Sequence, residues 1–538
     1  MDWQPRTISQ TLAAAAQRWP RQEAVVVGDA RLTYAELWAQ ARVAAANLKR
    51  LGLRRGDHMA ICMGNSAEWL TLLYAAATLG AVTVPVNTRF KADELRYCLE
   101  QADVKLLAMA DRFLKVDFID MLRQICPGID AKLPDAALPL LRTLIVQGGD
   151  VPASAHRFGE LQQSVAKLPE AHSENVQIDD VALIQYTSGS TSFPKGAMLT
   201  HANMVQDAWH VSRRLGLRPG DRYFSARPLF HVAGTTLSAL TALQAGACYV
   251  STPVFDAESA LRVMSEERCT HTCGNDTLFF MMMNHPNFSR YELHLRGGWA
   301  AASSSVMAQI RSRMGVEHLC GAYGLSESSP NVSMSRYDDV LEKRLQGFAH
   351  PLPGLEVRIV DVGSGRDQPA DAQGEILVRG WSVMKGYYKM PEQTARAIDN
   401  DGWLHTGDLG VMDEDGRLCF VGRAKEMFRV GGENVAPAEV EDVLHRHPAI
   451  KQAQVIGVPD PRLVEVPAAY VLLNENREAS AEEIIEWCRQ RCASFKVPRY
   501  VRIVDSFEPI GMTGSGKVQK NRLREYALDD LGLRGKAG

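Results

Sequence analysis

The sequence predicts an α/β protein, with a large N-terminal domain of parallel-rich sheets flanked by helices and a small α+β C-terminal domain. Three observations predict this architecture. The chain has 538 residues, which is more than one hydrophobic core usually contains. Strand and helix patterns alternate over roughly the first 420 residues, as parallel sheets require. Beyond about residue 423 the pattern changes to short strands and amphipathic helices.

The clearest strand–helix–strand unit lies between residues 59 and 86. The apolar run MAICM is followed by the helical pattern NSAEWLTLLYAAATLG and then by AVTVPV. We expect Asn65 to cap this helix, with Glu68 three residues later completing a capping box, and Gly80 to end it. A second unit runs from RYFSARPLF through VAGTTLSALTALQAG to ACYV.

The C-terminal region has the composition of a separate compact domain. PAEVEDVLHRH predicts a helix with Pro437 in its first turn, and Ser480 with Glu483 predicts a capping box before EEIIEWCRQRC. MFRV, VIGVPD, PAAYVLL and YVRIV predict strands. We therefore predict one domain over residues 1–424 and a second over 425–538, joined by a linker at Lys425.

Composition and charge argue against several protein classes. Hydrophobic residues make up 46% of the chain and charged residues 23%, as in soluble globular proteins. The net charge of −3, without a basic run, argues against nucleic-acid binding. No stretch resembles a membrane span or a signal peptide, and the ten cysteines are dispersed, so we expect a cytoplasmic protein with reduced thiols. Cys269, His271 and Cys273 would be too far apart on a strand to share one metal ion.

The apolar run VALIQY leads into a loop of glycines and hydroxyls. Glycine lets backbone N–H groups approach an anion, Ser and Thr add donors, and a lysine adds positive charge. A phosphate-binding loop and a polar surface loop share this composition, so the loop alone does not decide between them. It is not a Walker A motif, because Pro-Lys stands where Gly-Lys is required. The candidate phosphate ligands are Thr187, Ser188, Gly189, Ser190, Thr191 and Lys195.

Further polar clusters lie where an α/β core would be apolar. Gly511 to Lys517 matches G-x-x-x-x-G-K, but it lacks the final hydroxyl residue and has only about 20 residues after it, too few for a P-loop fold. A loop presenting Lys517 and an ordinary exposed turn both fit. The other clusters are YGLSE, GWLHTGD, and GRAKE followed by GGEN.

These segments, in this order, resemble the superfamily of adenylate-forming enzymes, which includes acyl-CoA and aryl-CoA synthetases, firefly luciferase and peptide-synthetase adenylation domains. The resemblance covers nearly the whole chain and rests on TSGSTSFPKG, PLFHVAG, YGLSE, GWLHTGD, GRAKEMFRVGGENV and TGSGKVQK. It implies an AMP-forming acid–CoA ligase that uses ATP, Mg2+ and coenzyme A. A carboxylic acid and ATP would give acyl-AMP and pyrophosphate, and coenzyme A would then take the acyl group and release AMP.

The resemblance also assigns roles to residues that match its motifs. The loop residues named above would hold the ATP phosphates, and Thr191 and Glu327 would hold Mg2+. The remaining nucleotide ligands would be Tyr323 stacked on adenine, Ala302 and Ser303 at the adenine edge, Ser326 at the α-phosphate, and Asp408 and Arg423 at the ribose.

Two half-reactions at one carbonyl imply a small domain that changes orientation about Lys425. Lys517 would bridge the carboxylate and the α-phosphate in the first step, where a fixed positive charge stabilises developing negative charge. In the second step, coenzyme A would pass along Gly431, Gly432 and Glu433, with His231 as a gate. Ser192, Ser326 and Glu426 depart from the usual motif residues, but they remove no charged catalytic group, so we expect activity.

Other functions on the same fold remain open. A peptide-synthetase domain fits poorly, since no acidic residue lies between Pro228 and Gly234 and little chain follows Lys517. An acyl-AMP ligase that loads a carrier protein and a non-catalytic acyl or nucleotide sensor are the alternatives. The small residues Ala233, Gly234 and 300–305 predict a roomy pocket for a medium-chain fatty, alicyclic or aromatic acid. The expected partners are this acid and coenzyme A, and a homodimer is compatible with the resemblance.

Overall fold

The computed structural model describes residues 3–170, 175–187, 194–430, 433–475, 477–513 and 517–534. Parts of three predicted loops lie outside these residues, namely Ser188, Gly189, Ser190 and Thr191 of the phosphate loop, Gly431 and Gly432 of the coenzyme A loop, and residues 514–516 of the loop that carries Lys517. Among the described residues, three sheets of four or more strands precede residue 424 and a fourth follows it.

The first sheet has eight strands and is parallel except for its two outer pairs. Helices connect most of its parallel strands, so their carboxyl ends meet at one edge, where ligand sites of such sheets form. In spatial order the strands are Asn331–Met334, His318–Gly324, Gly297–Ala301, His271–Asn275, Arg222–Phe224, Cys248–Ser251, Glu23–Val27 and Ala30–Thr33.

The second sheet has seven strands and is parallel except for one edge pair, which flanks the predicted phosphate loop. In that pair Thr187 lies opposite Lys195, so the two ends of the loop are held side by side. In spatial order the strands are Lys195–Thr200, Val181–Thr187, Val82–Pro85, His58–Cys62, Val104–Ala110, Thr143–Gln147 and His156–Arg157.

The largest apolar cluster joins these two sheets through the helices Tyr34–Arg50 and Ala67–Leu79. The second of these helices is buried along its whole length and ends, as predicted, at Gly80 with φ of 70°. The predicted cap is wrong by one residue: Ser66, not Asn65, accepts the N–H of Trp69 at 3.1 Å. Asn65 is buried and instead donates to the carbonyl of Arg227 and accepts the N–H of Leu229.

The predicted alternation of strand and helix stops before the end of the large domain. A four-stranded antiparallel sheet follows, made of Leu355–Val360, Gly374–Gly380, Leu404–Met412 and Leu418–Arg423. The expectation of α/β alternation up to residue 420 is therefore wrong for this stretch. Each of its strands is antiparallel to its neighbours, so the crossover connections that parallel strands require are not needed.

The fourth sheet forms the small C-terminal domain. Its strands are Glu433–Val435, Phe428–Val430, Val464–Leu473, Ile450–Asp460 and Tyr500–Ile503. The helices Pro437–His445 and Ala481–Arg489 contribute to one core of this domain, and Lys520–Asp530 contributes to another. The predicted capping box is confirmed, since Ser480 and Glu483 exchange hydrogen bonds of 2.7 and 3.2 Å.

The remaining helices lie on the faces of the large-domain sheets. A continuous helical segment follows PLFHVAG and includes a π-helical stretch, Thr235–Leu240, between Val232–Gly234 and Thr241–Ala245. The other α-helices are Ile8–Arg18, Ala92–Gln101, Phe118–Ile125, His201–Arg214, Ala257–Glu266, Asp276–Met283, Ser304–Met314, Leu341–Leu345 and Pro391–Ala397. Within the described ranges, no helix has both the length and the apolar character needed to cross a bilayer.

Candidate active site

Asp408 and Arg423 face each other on adjacent antiparallel strands of the third sheet. The guanidinium Nε lies 3.3 Å from Oδ1 of Asp408, and the phenol of Tyr323 donates to Oδ2 at 2.9 Å. Asp408 is 4% exposed, and burial raises the pKa of its carboxyl, although Arg423 and Tyr323 oppose that rise. The structure thus brings together three residues that were predicted to hold the adenosine.

The ring of Tyr323 is already in contact with an aromatic neighbour. It stacks on Phe420 at a centroid distance of 5.4 Å and an interplanar angle of 14°. Phe420 is 41% exposed, whereas Tyr323 is buried. This pair forms an aromatic surface beside the Asp408 carboxylate.

A second group of residues surrounds the described ends of the phosphate loop. The ammonium of Lys195 lies 4.3 Å from the ring centroid of Tyr387, and the phenol of Tyr387 donates to Oε1 of Glu327 at 2.9 Å. Thr187 closes the loop by donating to the carbonyl of Lys195. The charge of Glu327 adds to the rise in the pKa of Asp408, which links this second group of residues to the Asp408–Arg423 pair.

Lys517 enters this site from the small domain. Its positive charge acts on Asp408, Asp276 and His231, all of which belong to the large domain. The side chain of Lys517 is exposed to solvent. The surrounding protein nevertheless removes part of its hydration, and together with the charges of Arg227 and Arg423 this lowers the pKa of the ammonium group. The large domain also holds the lysine loop directly, because Arg89 donates to the carbonyl of Thr513 at 3.3 Å.

His231 lies at the start of the helix Val232–Gly234, next to these charges. Its Nδ1 accepts the N–H of Ala233 at 3.1 Å, and burial together with Arg227 and Lys517 lowers its pKa to about 3. The imidazole is therefore neutral near pH 7. With Nδ1 acting as an acceptor, its proton is on Nε2, which leaves that atom as a donor.

The other predicted residues are distributed around this centre. Ala302 and Ser303 follow the strand Gly297–Ala301, and Ser303 precedes the helix Ser304–Met314. Ser326 begins a short 3-10 turn that also carries Glu327. Lys425 is exposed in the turn Ala424–Glu426, directly after Arg423. Glu433 is exposed on an edge strand of the small domain, where its backbone pairs with Val430.

The comparisons with known proteins agree with this geometry. The AMP-binding enzyme family matches residues 12–388, and the AMP-binding enzyme C-terminal domain matches residues 439–517. The chain belongs to the AMP-binding enzyme family. The resemblance stated from the motifs is thereby confirmed, as are the large α/β domain with mixed, mostly parallel sheets and the small second domain.

Relatives within this family extend over the whole chain. YngI of Bacillus subtilis, whose name places it among acyl-CoA synthetases, is 37% identical over 541 residues that cover 98% of each chain. The mitochondrial medium-chain acyl-CoA ligase ACSF2 of Bos taurus is 35% identical and covers 98% of this chain and 88% of its own. The crystal structure of the anthranilate CoA ligase AuaEII with anthranoyl-AMP has a TM-score of 0.88 at 26% identity and covers 99% of each chain. The predicted reaction class, an AMP-forming acid–CoA ligase, is confirmed.

Three residues of this AMP-binding enzyme escaped the sequence analysis. Tyr387 joins Lys195 to Glu327 but lies outside the motifs, in the segment between the third-sheet strand Gly374–Gly380 and the helix Pro391–Ala397. Arg227 immediately precedes PLFHVAG and is buried beside His231 and Lys517. Asp276 begins a helix, and burial together with Glu441 of the small domain raises its pKa to about 7. A charged residue in an otherwise apolar strand–helix pattern was the available signal for Arg227 and Asp276.

Proposed function

We propose that this enzyme activates a medium-chain fatty, alicyclic or aromatic carboxylic acid and transfers it to free coenzyme A. We further propose that Lys517 serves the adenylation step and that the small domain, bounded at residue 425, then rotates about Lys425. One observation carries the proposal: the lysine loop is held against the large domain by the hydrogen bond from Arg89 to the carbonyl of Thr513, and from there Lys517 acts to lower the pKa values of Asp408 and His231. An ammonium group in that position is placed for a reaction between two anions.

The residues of the site would have different roles in the adenylation step. Asp408 and Arg423 would hold the ribose, Tyr323 would carry the adenine, and Lys195 would hold the phosphate end. Lys517 would draw the substrate carboxylate toward the α-phosphorus. The carboxylate oxygen forms a bond to that phosphorus, the bond to the bridging oxygen breaks, and pyrophosphate leaves. Preorganised charge of this kind contributes several kcal/mol to transition-state stabilisation.

The phosphate end of the site fits a magnesium ion. Glu327 is a half-buried carboxylate, and Tyr387 uses only its Oε1. Carboxylate oxygens combined with substrate phosphates are the coordination that Mg2+ prefers. A bound Mg2+ would neutralise phosphate oxygens and the pyrophosphate leaving group. Thr191, the other proposed ligand, lies outside the described residues.

The second half-reaction needs the acyl carbonyl to be free of Lys517. We propose that rotation at Lys425 withdraws the lysine and brings Gly431, Gly432 and Glu433 beside the thiol arm of coenzyme A. The thiolate then forms a bond to the acyl carbon, and the bond to AMP breaks. His231 would border the path, where its neutral ring adds no charge that could retain the departing AMP.

The substrate range, location and assembly are parts of the same proposal. Small residues at 233, 234 and 300–305 support a pocket with room for a chain or a ring. A cytoplasmic location is supported by the dispersed cysteines of the sequence. A homodimer would be compatible with the family. Size-exclusion chromatography with light scattering would measure the mass of the assembly.

The alanine variant of Lys517 tests the assigned role. We expect Lys517→Ala to lose pyrophosphate exchange by about a hundredfold or more while it still converts a supplied acyl-adenylate and coenzyme A to the thioester. Arg462→Ala, which removes an exposed cation elsewhere on the small domain, should match the wild type in both assays. Equal loss of both half-reactions in Lys517→Ala would contradict the proposal. Failure of wild type to use free coenzyme A would favour a carrier-protein acceptor instead.

A further inference from the structure

A cavity lies between the two domains, beside the helix that follows Ser303. It has a volume of about 690 Å³, within the range of small-molecule sites. Its large-domain wall comes from the helices Asp276–Met283 and Ser304–Met314 and from residues that follow the first of them. Its small-domain wall comes from residues 445–448, 450, 451, 474, 475 and 477. We use the name interdomain cavity for this space.

Positive charge dominates the lining of the interdomain cavity. Arg313 lines the large-domain side, and Arg446, Lys451 and Arg477 line the small-domain side, whereas Glu475 is the one carboxylate among the lining residues. Arg446 is paired with Asp442. Lys451 and Arg477 make no ion pair with any residue that the structure describes. Uncompensated cations around a ligand-sized space favour an anion.

A buried histidine forms part of the wall. His445 is 7% exposed, lines the cavity and packs on Phe280 at a centroid distance of 5.2 Å. Its Nε2 accepts the N–H of Ala453 at 3.1 Å, so the proton of the neutral ring is on Nδ1. Nδ1 is closed to solvent, and therefore to a ligand oxygen in the cavity, so the ring contributes an aromatic surface rather than a donor.

We propose that the interdomain cavity binds a phosphorylated small molecule of nucleotide size, with its phosphate on Lys451 and Arg477. Arginine and lysine together suit phosphate oxygens, and the aromatic side chains of Phe280 and Phe288 provide an apolar wall for the rest of the ligand. Such a ligand contacts both domains, so it stabilises the orientation seen here. Given the rotation in the proposed function, on which this consequence rests, the ligand would slow thioester formation.

Calorimetry on the full chain, with AMP saturating the nucleotide site, tests the binding. Adenosine 3′,5′-bisphosphate and inorganic phosphate serve as separate probes. We expect the bisphosphate to bind wild type at least about tenfold more tightly than inorganic phosphate does. The double variant Lys451→Ala/Arg477→Ala should weaken bisphosphate binding by about tenfold or more, and Arg462→Ala should leave it unchanged. Equal affinity for the two probes, unaltered binding by the double variant, or no binding to wild type at millimolar concentration would overturn the proposal.

A half-reaction assay tests the effect on domain orientation. The bisphosphate should inhibit thioester formation from supplied acyl-adenylate more strongly in wild type than in the Lys451→Ala/Arg477→Ala variant. Equal inhibition of both proteins would mean competition at the coenzyme A path and would contradict stabilisation of this orientation. Calorimetry measures binding and does not depend on catalysis. A failure of the proposed function can therefore be distinguished from a failure of this site.

Discussion

Tyr387 and Glu327 are joined by a hydrogen bond of 2.9 Å, and the ring of the same tyrosine supports the ammonium of Lys195. One side chain thus positions both a carboxylate proposed for the metal and a lysine proposed for the phosphates. Tyr387 is buried, and burial together with Glu327 raises the pKa of its phenol, so it stays a donor across the working pH range.

Removing the phenol of Tyr387 should disturb Glu327 without disturbing Lys195. We expect Tyr387→Phe to raise the KM for ATP by about tenfold, the lower end for loss of a hydrogen bond to a charged group, because Glu327 is only half-buried. Pyrophosphate exchange assayed at varied concentrations of ATP and Mg2+ measures this KM. Tyr388→Phe is the matched control, since the neighbouring phenol donates to Asp103 instead. Unchanged ATP dependence in Tyr387→Phe would show that the hydrogen bond does not position Glu327.

A proline at residue 425 should hinder the proposed rotation. Lys425 lies in the middle of a single 3-10 turn, and proline would restrict its φ to about −65°. We expect Lys425→Pro to slow thioester formation by about tenfold or more while pyrophosphate exchange is nearly retained, because adenylation uses the orientation already present. Lys425→Ala, which keeps backbone freedom, is the control. Thioester rates that match wild type in the proline variant would remove the hinge from residue 425.

Asp276 should make the docking of the two domains depend on pH. Burial and Glu441 raise its pKa to about 7 from an ordinary value of 3.8, even though Lys517 opposes them. A raised pKa means that the folded state resists ionisation. The stability contribution of the protonated carboxyl is therefore complete below pH 3.8 and is lost as the pH rises through about 7.

The asparagine variant isolates this contribution. Because proton binding is linked to folding, the wild type should lose thermal stability relative to Asp276→Asn as the pH rises from about 4 to about 7. Above about pH 7 the difference in melting temperature between the two proteins should be constant. Paired melting curves at each pH cancel the titration of other groups. A difference in melting temperature that does not vary with pH would show that Asp276 titrates normally.

Gly324 in YGLSE should not tolerate a side chain. A Cβ at this position would lie 1.8 Å from the carbonyl oxygen of Pro330, which belongs to the backbone of the adjoining turn. We expect Gly324→Ala to destabilise the protein by about 1–3 kcal/mol and to weaken AMP binding, because the displaced turn carries Ser326 and Glu327. Gly159→Ala, whose Cβ would meet nothing within 4 Å, is the control. Equal melting temperatures for the two variants would contradict the close contact.

Local patterns in the sequence predicted the elements whose causes are local. The helix ends at Gly80 and the capping box at Ser480 depend on residues within one turn, and both are found. Asn65 failed as a cap because its side chain satisfies the backbone at Arg227 and Leu229, more than 160 residues away in the chain. The antiparallel sheet over residues 355–423 was not predicted, because the strand–helix alternation of the preceding residues does not indicate where it stops.

The active site also contains residues that local motifs identified and residues whose roles depend on contacts distant in the chain. The motifs identified Tyr323, Asp408, Arg423 and Lys517, and these residues lie together. Tyr387, Arg227 and Asp276 follow no motif, and their roles come from contacts with residues distant in the chain.

The sequence by itself determined the family, the reaction class and the chemistry of the charged site, because motif order and side-chain type are properties of the chain. Only the tertiary structure decided which charges act on one another, that Lys517 faces the nucleotide site in this orientation, and that a cationic cavity separates the two domains. These properties depend on distance and burial, which arise only when the two domains pack together.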